Sequence, residues 1–187
     1  MTPFHHALPQ ETPDRFLLLD RLDVCDPTGA TARRAFAAAP PWQGLEAMAQ
    51  LAALHARWTA DFTLHAFLLT VDECTWPPHV PAADVHHGMS NSTPGSTPGN
   101  TPGNTPGGAL HGTLYIRADL LAESDRAATY AATITPLTVF SDAASAPAPP
   151  YMAATLTIGR APYDTRFNGG TLTARYHEIF AWLTRIA

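Results

Sequence analysis

Trp42-Gln43-Gly44-Leu45-Glu46-Ala47-Met48-Ala49-Gln50-Leu51-Ala52-Ala53-Leu54-His55-Ala56-Arg57-Trp58 follows the pair Pro40-Pro41 and reads as one helix from about Gln43 to Trp58. Leu45, Met48, Ala49, Leu51, Ala52 and Leu54 recur at spacings that cover most of a helical surface, so this helix is expected to be buried on nearly every side. Ala47, Ala49, Ala52, Ala53 and Ala56 have no bulk to hold a neighbour away, which suits a sheet that curls closely around the helix. A surface helix would carry more charge.

Working outward, Arg15 to Cys25 begins with a continuous apolar run and then alternates, as a strand entering a core does. Asp26-Pro27-Thr28-Gly29 is a turn, and Ala30 to Ala37 is a short returning strand. Beyond the helix, Phe62 to Asp72 reads as a strand that the prolines of Trp76-Pro77-Pro78-His79-Val80-Pro81 interrupt. Further strands are expected around Leu110–Leu121, Ala127–Val139 and Tyr151–Ile158. Two strands, a helix and a series of strands favour an α+β fold with an antiparallel sheet. Thr171 to Ile186 has Leu172, Tyr176, Ile179, Phe180 and Leu183 at helical spacing and predicts an amphipathic terminal helix after the turn Phe167-Asn168-Gly169-Gly170.

A tetrapeptide repeat interrupts the strands, with Ser-Thr-Pro-Gly and Asn-Thr-Pro-Gly copies ending at Gly107-Gly108. Such a composition cannot bury enough apolar area to offset chain entropy, so residues 88–108 are expected to form a disordered low-complexity loop within a single domain spanning 1–187.

Bulk composition narrows the function classes. Apolar residues make up 45% of the 187 and charged residues 14%, which describes a globular chain able to bury a core. The net charge is -5, lysine is absent, and the eleven basic residues are scattered arginines. Nucleic acid and anionic membranes are therefore not expected partners. No signal-peptide pattern opens the chain and no apolar run reaches spanning length, so a cytoplasmic location is expected. Cys25 and Cys74 are expected to be reduced thiols.

Glu46 is the residue most open to a chemical reading. An ionised carboxylate on an apolar helix is costly to bury unless something satisfies it. A place in the first turn would supply part of that compensation, because the helix N-terminus offers free amides and positive potential. The alternative is a charge that merely faces solvent.

The run Gly44-Leu45-Glu46-Ala47-Met48-Ala49-Gln50 resembles the helix start of the 3-hydroxyacyl-acyl-carrier-protein dehydratases, and Phe16-Leu17-Leu18-Leu19-Asp20-Arg21-Leu22 resembles their first strand. The Trp-x-Gly-x-Glu-x-Met-Ala-Gln pattern looks closest to the small dehydratase-like proteins of aryl-polyene clusters. The resemblance covers residues Leu8 to Asp72. It implies a hot-dog domain, a curved antiparallel sheet wrapped around the Ala-rich helix, which forms a homodimer or a heterodimer with another hot-dog protein. It further implies acyl thioesters of acyl carrier protein or coenzyme A as ligands, no cofactor, Glu46 as the catalytic carboxylate, and Gln10, Trp42, Gly44 and Gln50 as substrate-binding residues.

The chain departs from that family at the partner of the carboxylate. Dehydration needs a base to remove a proton beside the thioester and an acid to expel the hydroxyl as water. The family's histidine would fall at Ala32, and no histidine lies between His6 and His55. Where polyene-type relatives carry Leu-Pro-His, this chain has Leu8-Pro9-Gln10, and glutamine cannot transfer a proton near neutral pH. His5 and His6 could fold back over the site. His55 lies too far along the helix to meet Glu46, and His65 reads as a structural strand residue. His79, His86 and His87 lack carboxylate or thiol companions at ligand spacing, so no metal is expected. Three functions follow: a dehydratase-like protein of fatty-acid or polyene biosynthesis, a non-catalytic partner subunit of a dehydratase, or an acyl thioesterase.

Overall fold

The computed structural model describes residues 16–77, 108–137, 149–165 and 168–185. The low-complexity loop expected at 88–108 lies outside the described residues except for its last position, and Gln10, His5, His6, His79, His86 and His87 lie wholly outside them. The chain order is β1 (Arg21–Asp26), β2 (Gly29–Ala39), α1 (Pro41–Trp58), β3 (Leu64–Thr75), β4 (Leu110–Glu123), β5 (Ala127–Pro136), β6 (Met152–Pro162) and α2 (Gly169–Thr184).

β1 and β2 form a hairpin around Pro27-Thr28, where the Asp26 carboxylate accepts from the Thr28 amide at 2.8 Å and the Thr28 hydroxyl at 2.6 Å. Such side-chain-to-backbone bonds are what favour aspartate at turn starts. Gly29 is required by proximity, since a Cβ there would collide with the Ala118 carbonyl oxygen on β4. β2 ends in an irregular step between Phe36 and Ala39, with Ala38 at a φ of 57°.

The strands pair antiparallel in one six-stranded sheet of order β1-β2-β4-β5-β6-β3. Burial alternates along β5, where Ala128, Tyr130, Ala132 and Ile134 face inward. On β6 the inward set is Met152, Ala154, Leu156 and Ile158. α1 lies against this face, making contact with β2 through β6. The small residues of helix and sheet permit that approach. A Cβ on Gly44 would come within 3.0 Å of both Ile134 Cδ1 and Leu110 Cδ1, and 3.1 Å of Met152 Sδ. Each large aliphatic side chain fully buried in this interface contributes about 1.5–3 kcal/mol. The arrangement is an α+β hot-dog domain with a C-terminal helix.

Three expectations change in detail. First, α1 begins at Pro41, where a fixed φ suits the first helical position, and not at Gln43. Glu46 therefore sits in the second turn, beyond the free amides, and no acidic residue occupies the first turn. Second, the segment before Arg21 is not a strand. Gln50 captures its backbone: the Leu18 amide donates to Gln50 Oε1 at 2.8 Å, and Gln50 Nε2 donates to the Phe16 carbonyl at 2.8 Å. Third, Gly169-Gly170 open α2 rather than precede it, and Asn168 caps it by accepting from the Thr171 amide at 3.2 Å. α2 buries Ile179 and Leu183 and sets His177, tilted, and Phe180, edge-on, against the Phe62 ring, with centroids 4.4 and 5.6 Å apart.

Among the described residues, no helix is long and apolar enough to cross a membrane.

Candidate functional site

One face of α1 is not covered by the sheet. Glu46, Gln50, Ala53 and Arg57 follow one another at spacings of three and four residues, so they form a single row along the helix. This row is one wall of a groove of about 350 Å³. His65, Ala66, Phe67 and Leu68 of β3 form the opposite wall, Phe16, Leu17 and Leu19 close one side, and Tyr176 and Ile179 of α2 close the other. The lining is mainly apolar with a few placed polar groups, as small-molecule sites usually are.

Glu46 is exposed at this groove, so the burial cost anticipated for its carboxylate does not arise. Its Oε1 accepts from Gln50 Nε2 at 3.1 Å. Gln50 thus joins three things: the carboxylate, the Phe16–Leu18 backbone and the helix. Replacing Gln50 with Ala is expected to release that segment and lower unfolding free energy by about 1–3 kcal/mol, the worth of two or three hydrogen bonds. Urea denaturation measures the loss, and faster hydrogen exchange at the Leu18 amide locates it.

Of the other expected substrate-binding residues, neither Trp42 nor Gly44 lines this groove. Trp42 is 58% exposed on the first turn, and Gly44 is buried against the sheet, where its missing side chain serves packing.

Sequence reasoning did not single out Arg57, and it treated His65 as structural. Arg57 donates through Nη2 to the Ala66 carbonyl and lies over the Tyr176 ring, its guanidinium carbon 4.1 Å from the centroid. Burial pulls the guanidinium below its usual value, opposed by Tyr176 and Tyr163. His65 is half-buried on β3, stacked on Phe67 with centroids 5.5 Å apart. Burial, and then the Arg57 charge, lower its pKa, which favours the neutral ring. The signal that could have found Arg57 was its spacing from Glu46, whereas the approach of His65 depends on how β3 lies across α1.

His55 points away from the groove into the sheet and is fully buried. Its Nε2 lies 2.7 Å from the Asp26 carbonyl oxygen and must donate, so Nδ1 accepts from the Tyr130 hydroxyl at 2.9 Å. Arg160, whose charge lies near the same hydroxyl, donates to Thr59 Oγ1 at 3.1 Å and pairs with Glu123. This chain of bonds fixes a neutral imidazole in the core. Cys25 and Cys74 are free thiols, and burial followed by the nearby Asp26 carboxylate pushes Cys25 up to about 12, which leaves it a poor nucleophile. No group of three His, Cys, Asp or Glu among the described residues could hold a metal ion.

No protein-family model matches the chain, and no curated protein sequence matches it. Among solved structures, it is similar to a mutant thioesterase from Pseudomonas aeruginosa at 11% identity, covering 76% of this chain and 81% of that one with a TM-score of 0.49. It is similar to the dehydratase heterocomplex ApeI:P from Xenorhabdus doucetiae at 12% identity, covering 86% and 90% with a TM-score of 0.46. A Streptococcus mutans protein solved with acetyl-CoA is similar at 10% identity, covering 78% and 90% with a TM-score of 0.47.

Proposed function

We propose that the chain is a 3-hydroxyacyl-thioester dehydratase-like protein that holds its acyl group in the α1–β3 groove and works as one subunit of a hot-dog pair. The observation that carries this reading is the placement of Glu46 and Gln50 at an apolar groove also lined by β3, an edge strand of the sheet among the described residues. The resemblance of Gly44–Gln50 to the dehydratase helix start supports it. In the reaction, Glu46 takes the proton from C2 of the 3-hydroxyacyl thioester. The electron pair of that C–H bond becomes the C2–C3 double bond, the C3–O bond breaks, and the hydroxyl leaves as water with a proton from an acid.

Among the described residues, none beside Glu46 is placed to supply that acid. His65, the histidine of the groove, is next to Arg57, at the opposite end of the helical row. A second subunit is the natural source. β3 exposes Phe67 at 40%, Leu68 at 39% and Leu69 at 52% along its free edge, and an uncovered apolar edge strand is a surface that proteins normally pair or protect. Acyl carrier protein or coenzyme A would present the thioester, and no cofactor enters the chemistry.

The second reading is thioester hydrolysis. Among the described residues Glu46 has an amide, not a histidine, as its side-chain partner, and a carboxylate that activates water needs no separate acid of the histidine kind. One assay separates the two. Purified protein, alone and with a histidine-containing hot-dog subunit, is given 3-hydroxyacyl-coenzyme A thioesters. Formation of the 2-enoyl thioester is followed by absorbance, and thiol release is followed with a dye. Enoyl product is the expected outcome; thiol release without it would transfer the assignment to a thioesterase.

A further inference from the structure

Glu46 and Arg57 mark the two ends of the groove. Eleven residues separate them, which at 1.5 Å per residue places their backbones about 16 Å apart along α1. Among the described residues the Glu46 end is open, with the carboxylate exposed and Phe16 beside it 82% exposed. The Arg57 end is closed by Tyr176 and the buried Ile179 of α2.

Arg57 carries a full charge into this closed end. None of the ion pairs among the described residues involves it, and its Nε is shut off from solvent with no hydrogen-bond partner among those residues. The Ala66 carbonyl and the Tyr176 ring face supply partial negative charge only. A guanidinium is ordinarily sheltered in this way only when an anion meets it, because loss of hydration is otherwise uncompensated. With Nε enclosed and Nη2 engaged by Ala66, the guanidinium can offer its remaining Nη hydrogens as charge-assisted donors to a carboxylate oxygen.

We infer that the groove selects acyl chains that end in a carboxylate, with the thioester at Glu46 and the distal carboxylate on Arg57. The inference rests on the acyl-thioester reading of the groove and adds the substrate class. Three backbone bonds span 3.8 Å, so each bond of an extended chain advances about 1.3 Å, and the backbone separation sets an upper length of roughly a dozen bonds, less the reach of the two side chains.

The test compares dodecanoyl-coenzyme A with its ω-carboxyl counterpart, dodecanedioyl-coenzyme A, by calorimetric titration of the full chain. The expected result is tighter binding of the ω-carboxyl thioester by roughly ten- to a hundredfold, the range of a charge-assisted hydrogen-bonded contact. In Arg57→Met that preference should vanish or reverse while the plain thioester still binds. If Arg57→Met does not fold, the comparison on the unmodified protein still decides, and Arg57→Lys, which keeps the charge without the fork, should retain part of the preference. Equal binding of the two thioesters would overturn the inference and leave the groove assignment standing. Binding of neither would overturn both. Pantetheine thioesters without the phosphate form a third arm: if omitting the phosphate, rather than the terminal carboxylate, removes the effect of Arg57, the cation reads the carrier arm and the inference is wrong.

Discussion

Glu46→Gln is expected to reduce turnover of acyl thioesters by about a hundredfold or more while leaving the fold intact, because it removes the proposed general base and little else. The substitution is nearly isosteric. Glu46 is exposed, bears no ion pair among the described residues, and makes one side-chain hydrogen bond among them, the 3.1 Å bond from Gln50 Nε2. A glutamine carbonyl can accept that same bond, so the Gln50 clamp on Phe16 and Leu18 persists. Denaturation midpoint and oligomeric state should match those of the unmodified protein, and only the rate should fall. Binding of acyl thioester should survive, since the groove's apolar lining is untouched. Equal turnover by the variant would remove Glu46 from the chemistry and assign it to another group.

The choice of Glu46 came from the sequence, and much of the fold was legible there for the same reason. α1 announces itself because apolar residues at helical spacing continue for four turns, and the alanines state how near the sheet can come. β4, β5 and β6 are legible through alternation, which is a local property. The start of α1 was misplaced by two residues because a proline pair reads equally as a strand stop and as a helix start, and that small shift took Glu46 out of the first turn. The apolar run before Arg21 looked like a strand because nothing local reveals that Gln50, thirty-two residues beyond Leu18, would occupy its backbone groups.

The site was less legible than the fold. Glu46 and Gln50 could be marked because they lie together on one helix and resemble a known motif. Trp42 and Gly44 belong to the same motif, yet the structure puts them on other faces, where Gly44 answers to Ile134, Leu110 and Met152. His65 and Arg57 meet only after β3 has paired with β6 and folded back across α1, and no spacing in the sequence encodes that distance. Arg57 could have been found by asking which polar residue continues the Glu46 row.

His55→Ala is expected to be the most destabilising single change, lowering unfolding free energy by about 3–5 kcal/mol. It opens a void at a fully buried position and removes the partner of the buried Tyr130 hydroxyl, which donates to Nδ1, and a part-buried bond from Nε2 to the Asp26 carbonyl. Desolvation is the main influence on the ring and lowers its pKa from 6.5; the Asp26 carbonyl, the Asp26 carboxylate and Glu123 oppose it, and the Arg160 charge adds to it. The sign of the pH effect follows. The unfolded chain binds this proton more readily than the folded one, so the contribution of neutral His55 is fully present above about pH 6.5 and is lost as pH falls from there through the lower folded value. Protonation would also set a cation beside Arg160 and leave Nδ1 unable to accept from Tyr130. His55→Gln separates charge from packing, because its amide can accept from Tyr130 and donate to Asp26 without titrating. Urea midpoints measured from pH 8 to about pH 5 should therefore fall more steeply for the unmodified protein than for His55→Gln. Parallel curves for the two would show that the His55 proton is not what the core excludes.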